Sequence, residues 1–194
     1  MFWVWLVFVF YAMFLAPGKG FASDPIIQGL LQGKFSEVEP LVVTVFMFLG
    51  LFPLLFAALL LPVDRDNMPA WPFILGAFAL GAFSLLPYFF LRKGHHRPVS
   101  RSPRGIHALL SSKAFSLLLM IMALASLTYL GHGFSLHSYW RAFQDSKLVS
   151  VMTVDFFILL WLSFYTMDSI YNIKDMRWLS LVPVIGPLML RWKK

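Results

Sequence analysis

Apolar and polar residues fall into blocks along this chain. Apolar runs occupy 2–16, 41–62, 70–91, 114–130, 148–168 and 178–191, and nearly all charges lie between them or at their ends. Within a run the apolar residues are continuous rather than spaced at three and four. Each predicted helix therefore meets apolar surroundings on every side, as a membrane helix does. The pattern predicts an all-α, polytopic membrane helical bundle with five to six transmembrane helices, forming one integral membrane domain over 1–194.

The run from 70 to 91 is the clearest. It carries no charge and exceeds the roughly 20 helical residues needed to cross about 30 Å of hydrocarbon. Pro72 suits a first helical turn, and Arg92 and Lys93 close the run in water. Trp71 and Tyr88 are expected at the two headgroup regions. Ala77 and Gly81 are four apart, which puts them on one helix face for close packing against a neighbour. In 41–62, Gly50 and Pro53 predict a kink, and the short connection 63–68 makes the second and third helices antiparallel neighbours. The first run, Phe2 to Ala16, is short for a span. It has no charged leader region and poor cleavage sites, so it reads as a membrane helix rather than a signal peptide. A short interfacial helix is expected from Pro25 to Leu31, with Asp24 as its cap. In 114–130, Ala123, Ala125 and Ser126 offer close packing.

The last run, 178–191, contains Pro183, Gly186 and Pro187. It reads either as a sixth span or as a re-entrant segment. Re-entry fits the charge distribution, because Arg191, Lys193 and Lys194 then join the most basic side. A full crossing fits the flanking Trp178 and Trp192, and six spans is the reading adopted.

Composition sharpens the class. The 194 residues are 59% apolar and 13% charged, whereas soluble domains carry about 25% charged residues. Phe at 21 and Trp at 7 fit lipid-facing surfaces and interfacial belts. The net charge is +7, but the bases sit in short loops, which favours membrane orientation over nucleic acid as its meaning. The main basic loop, 92–113, holds Arg92, Lys93, Arg97, Arg101, Arg104 and Lys113 and no acid. It is expected on the cytoplasmic or stromal side, with the N-terminus on the opposite side. Anionic membrane lipids or an acidic protein surface would suit it as partners, but as a solvated orienting loop it needs neither, and that is the default reading. Cysteine is absent, which excludes disulfides and Cys-ligated metals.

Candidate chemistry is sparse. Asp155 stands about two turns inside the fifth run, where a carboxylate is costly without a partner. It either sits near the interface, paired with Lys147 or a helix N-terminus, or belongs to a proton or ion path. A path needs further intramembrane acids, and the other runs have none. His95 and His96 are adjacent and cannot face one metal from one helix side. His107 and His132 lie at the two ends of the fourth helix, at a depth suited to chlorophyll magnesium. The plainer account of each is an interfacial histidine bonded to water or backbone. No phosphate-binding glycine loop, Gly-x-Ser-x-Gly or His-Glu-x-x-His occurs, so no catalytic residue and no metal site is assigned.

Several blocks stand in a distinctive order: Phe10-Tyr11-Ala12 through Leu15-Ala16-Pro17, Glu39-Pro40-Leu41, Pro69-Ala70-Trp71-Pro72-Phe73, and Leu75-Gly76-Ala77 through Gly81-Ala82-Phe83 to Leu86-Pro87-Tyr88. Ser146-Lys147, Asp155-Phe156 and Pro183 through Gly186-Pro187 continue it. In this the chain resembles a family of uncharacterised multi-pass membrane proteins of cyanobacteria and plastids, over most of its length except the basic loop. One departure is Phe164-Tyr165-Thr166-Met167-Asp168, where the family has a Pro-Phe-Trp-Val-Tyr-Asn-Asp type run. The resemblance implies a thylakoid membrane. The expected function is a non-catalytic integral subunit of a photosynthetic membrane complex, packed against a photosystem or antenna and holding chlorophyll or carotenoid. The competing expectations are a photosystem assembly factor docking through 92–113, and a membrane enzyme or transporter for a lipid or isoprenoid using Asp155 and His107.

Overall fold

The computed structural model describes residues 1–18, 20, 24–65, 68–92, 103–173 and 177–192, with backbone alone at Arg104, His132 and Arg177. Every described element is helical. In order they are α1 (Phe2–Phe10, continued to Leu15 by a wider turn), α2 (Pro25–Leu31), α3 (Pro40–Leu60), α4 (Trp71–Leu80), α5 (Ala82–Leu91), α6 (Arg104–Ser111), α7 (Lys113–Thr128), α8 (Leu136–Asp145), α9 (Lys147–Ser169) and α10 (Ile185–Trp192). Three stretches, Pro40–Val63, Lys113–Gly131 and Lys147–Ser169, are long and apolar enough to cross a membrane. Phe2–Leu15 is apolar but shorter.

The first N–H groups of a helix have no partner within it, and a carboxylate there also meets the positive end of the helix dipole. Four acids take this role for four successive helices. Asp24 accepts from the Ile26 N–H at 2.9 Å, as expected for the start of α2. Glu39 accepts from Leu41 and Val42 at 2.8 and 3.0 Å at the start of α3. Asp64 accepts from Ala70 at 3.0 Å, just before α4. Asp155 accepts from Ala82 at 2.7 Å, at the start of α5. Two of these acids also tie elements together. Asp24 accepts from the Ser146 hydroxyl, and Ser146 in turn caps α9 by accepting from Val149. Glu39 accepts from the Ser135 N–H before α8 at 3.1 Å.

Helix α3 is the axis: 67% of its most apolar stretch is buried, against 28% for α7. Helix α9 runs parallel to it. Phe156 meets the rings of Phe48 and Phe52, and beyond the α9 end the Tyr171 hydroxyl donates to the Leu59 carbonyl at 2.9 Å. Helix α1 runs antiparallel to α9, with Tyr11 and Ser150 sharing a hydrogen bond at 2.9 Å. Helix α7 runs antiparallel to α3, with Thr44 donating to the Ser126 carbonyl. The starts of α3 and α9 and the ends of α1 and α7 therefore form one end of the bundle, with α8. The opposite end holds Met1, the end of α3, α6 and the start of α7.

The run 70–91 is not one continuous helix. It breaks at Gly81, whose φ of +54° and ψ of −130° suit glycine and no residue with a Cβ. The two halves fold back on each other. The Ser84 hydroxyl donates to the Phe73 carbonyl at 2.8 Å, and the Phe73 and Tyr88 ring centroids are 5.8 Å apart. On an unbroken helix Phe73 and Tyr88 would stand roughly 22 Å apart along the axis. Trp71 and Tyr88 thus lie at one end of the bundle and do not mark two headgroup regions. Ala77 and Gly81 do not share a helix face: Ala77 is buried on α4 and Gly81 is the hairpin tip. The small residues serve close approach within the hairpin instead, since a Cβ on Gly76 would overlap the Ser84 hydroxyl.

The hairpin changes the sidedness of the chain. Phe2 packs on Phe90 at 5.5 Å, Phe8 stacks on Phe83 at 3.9 Å, and the Trp5 indole donates to the Phe83 carbonyl at 3.1 Å. So α1 runs antiparallel to α5. Met1, Arg92 and α6 therefore lie at the same end of the bundle; residues 93–102 of the basic loop lie outside the described residues.

The last run also returns on itself. Tyr171 donates to Leu59 and Arg191 donates to Ala58, adjacent carbonyls on α3. Between them, the Ser180 carbonyl accepts from Ser163, about two turns deeper. Among its described residues, the segment touches the α6 end of the bundle at both Tyr171 and Arg191.

Since the chain has no cysteine, single cysteines report sidedness directly. Arg65→Cys and Lys113→Cys are expected to react with an impermeant maleimide from one side of sealed vesicles, and Lys34→Cys and Arg141→Cys from the other. Labelling of positions 65 and 113 from opposite sides would restore a single crossing at 70–91. Gly81→Ala forces a Cβ into the Asp155 carboxylate at a positive φ. A loss of roughly 2 kcal/mol or more is expected in thermal unfolding, within the range for strained backbone and overpacking.

Candidate functional site

The hairpin tip and Asp155 form the most unusual polar arrangement among the described residues. Asp155 lies about 12 Å along α9 from its start at 1.5 Å per residue, and it is only 7% exposed. One carboxylate oxygen, Oδ1, accepts from the Ala82 N–H. The other, Oδ2, lies over Gly81, where a Cβ would overlap it. Between the two accounts read from the sequence, the structure places Asp155 against a helix N-terminus. Lys147 is elsewhere, its ammonium donating to the Met13 carbonyl at 3.2 Å.

The tip brings two helix ends together with opposite polarity. Helix α5 begins there and presents N–H groups; the Ser84 and Leu85 N–H groups turn back to the Gly81 carbonyl. Helix α4 ends there and presents carbonyls. Its last backbone bond runs from Gly81 N–H to Ala77 at 2.9 Å. Among the described residues, no backbone N–H reaches the carbonyls of Phe78, Ala79 or Leu80.

A cavity of about 420 Å³ opens at this point. Its walls are Phe46, Met47, Leu49 and Gly50 of α3, Ala77, Phe78, Ala79 and Leu80 of α4, Gly81, Phe83 of α5, and Leu148, Val151, Met152 and Asp155 of α9. The lining is apolar except for the carboxylate and the main-chain groups of the tip.

The remaining candidates do not converge here. His107 is exposed on α6, at the α6 end, so it and Asp155 do not form one reacting pair. His132 lies at the other end, after α7, and its side chain is outside the described residues. Arg92 closes α5, and Arg104 opens α6. Lys93, Arg97 and Arg101 lie outside the described residues, as do His95 and His96. Among the described residues, no group of three or more His, Asp and Glu is placed to hold a metal ion.

Two features escaped sequence reasoning. A helix N-terminus is one expected partner of Asp155, but that it belongs to α5 is not, because the Ala82 N–H is a group any residue supplies and no motif marks. Arg191 donates to Ala58 and Leu110 at 2.9 and 3.0 Å, joining α10, α3 and α6. In the sequence it stands merely as one of the bases closing the last run.

Comparison with family models, curated proteins and solved structures finds no match to this chain.

If the acceptor role of Asp155 holds the tip, Asp155→Ala leaves the Ala82 N–H buried without a partner, at a cost of about 1–3 kcal/mol. Asp155→Asn keeps a carbonyl oxygen and should retain most of the stability. Thermal unfolding of both variants in the same detergent separates acceptor from charge: equal losses would assign the tip to the charge.

Proposed function

We propose that this protein is a non-catalytic integral subunit of a larger photosynthetic membrane complex in the thylakoid. The observation that carries the subunit role is the open face of α7. Leu117, Leu118, Ile121 and Leu124 are all more than half exposed, while the opposite face, with Leu119 and Ala123, is buried. A full-length apolar helix with one side free offers a neighbouring membrane helix a long seam. The photosynthetic setting, and a photosystem or antenna as the neighbour, rest on the resemblance of the sequence blocks. On this reading, chlorophyll or carotenoid would lie along exposed aromatic faces, with His107 and His132 as magnesium ligands.

The membrane arrangement belongs to the same reading. Helices α1, α3, α7 and α9 cross, and α4–α5 and the last segment dip in from the α6 end. Four crossings and two re-entrant segments replace the five to six crossings expected from hydropathy. The α6 end carries Arg65, Arg92, Arg104, Lys113, Arg177 and Arg191. The α8 end carries Lys34, Arg141 and Lys147; acids stand at both ends, Asp64 and Asp168 with α6 and Asp24, Glu37, Glu39 and Asp145 with α8. This asymmetry supports the α6 end as the stromal or cytoplasmic side.

Mild solubilisation followed by native separation tests the subunit role. Co-migration with a pigment-bearing complex is expected. Migration solely as a free, pigment-less small protein would reject it.

A further inference from the structure

We propose that the cavity at the hairpin tip binds an amphipathic molecule with an apolar body and one hydrogen-bond-donating head, a hydroxyl or an ammonium, which arrives from the lipid phase. The proposal does not depend on the subunit role above.

The head is defined by what the site lacks. Asp155 Oδ1 is occupied by the Ala82 N–H, and Oδ2 borders the cavity. Phe78, Ala79 and Leu80, whose carbonyls receive no backbone N–H among the described residues, line the same cavity. The groups left over are mainly acceptors; against Asp155 Oδ2 and three carbonyls stands one donor, the Phe83 N–H of the first turn of α5. In an apolar interior an acceptor without a donor is costly. A hydroxyl or ammonium supplies the missing donor, and an anionic head would meet the carboxylate and the negative end of α4. Broken membrane helices elsewhere use such carbonyl ends to receive cationic or donating groups.

The body is defined by the walls. About 420 Å³ falls in the range of sites for organic molecules, roughly 300–1,000 Å³, and is far more than a single ion needs. Phe46, Met47, Phe83 and Met152 provide an apolar lining, and methionines adapt to varied shapes.

The route is defined by the rim. Phe78 and Leu80 are 52% and 57% exposed, and Gly50 is exposed on α3. This rim is apolar and lies near the middle of the bundle, so access is sideways. Gly50 also supplies a clean probe. A Cβ there meets no atom within 4 Å, so Gly50→Leu starts a side chain into open space at a residue lining the cavity, and leucine favours a helix over glycine.

Full-length protein in lipid nanodiscs is exposed to three diazirine probes of one chain length: a long-chain alcohol, the corresponding amine, and the methyl ether of the alcohol. The alcohol, the amine or both are expected to label peptides of α3 and α9 around the cavity, saturably. The ether should label them roughly tenfold less, the scale of one lost bond to a charged acceptor. Gly50→Leu should abolish this labelling while the unfolding temperature stays the same or rises. Asp155→Asn should reduce alcohol and amine to the level of the ether. Labelling of Gly50→Leu equal to wild type, or equal labelling by alcohol and ether, would overturn the proposal.

Discussion

A broken helix inside an apolar bundle must satisfy its own loose ends, and the rest of this structure depends on how that is done at Gly81. The break frees N–H groups at the start of α5 and carbonyls at the end of α4. Where water is excluded, each such group is expensive if left alone. Asp155 meets the Ala82 N–H, and the Gly81 carbonyl accepts from Ser84 and Leu85. This couples α9 to the hairpin through one short bond. It also fixes the level at which the hairpin turns, because Asp155 cannot move along α9.

The other acids follow the same logic on a smaller scale. Asp24, Glu39 and Asp64 each serve a helix start, and Asp24 and Glu39 also reach a second element. A chain with nine acids thus commits four to backbone N–H groups. At the α6 end the counterpart is a donor: Arg191 closes three elements by donating to the carbonyls of Ala58 and Leu110. The bundle is pinned by carboxylates at helix starts and by a guanidinium at carbonyls, with ring packing such as Phe48–Phe156 and Phe89–Tyr165 between.

The same geometry leaves polar groups facing open space at the tip. A hairpin that stops halfway leaves space beyond its end, and α3 and α9 wall that space with phenylalanine and methionine. The polar groups facing it are those the break could not satisfy internally. Structural necessity and a capacity to receive a ligand therefore share one cause.

Helix composition was legible in the residues alone. The apolar blocks 41–62, 114–130 and 148–168 match α3, α7 and α9 closely, because continuous apolarity over a membrane's thickness has few other stable outcomes. Asp24-Pro25 marked the start of α2 through local chemistry. The block 70–91 was not legible in the same way. Hydropathy is identical for one long helix and for two half-helices folded together, and the glycine that breaks it sits among other small residues. The choice depends on Asp155, 73 residues beyond Ala82, which removes the cost of the break. The last block is similar: Ser163, Ala58 and Leu59, distant in sequence, decide that it returns. The sequence by itself determined which segments are helical and apolar. Tertiary structure decided which of them run the length of the bundle and which fold back, because the backbone groups freed at a turn find their partners on other helices.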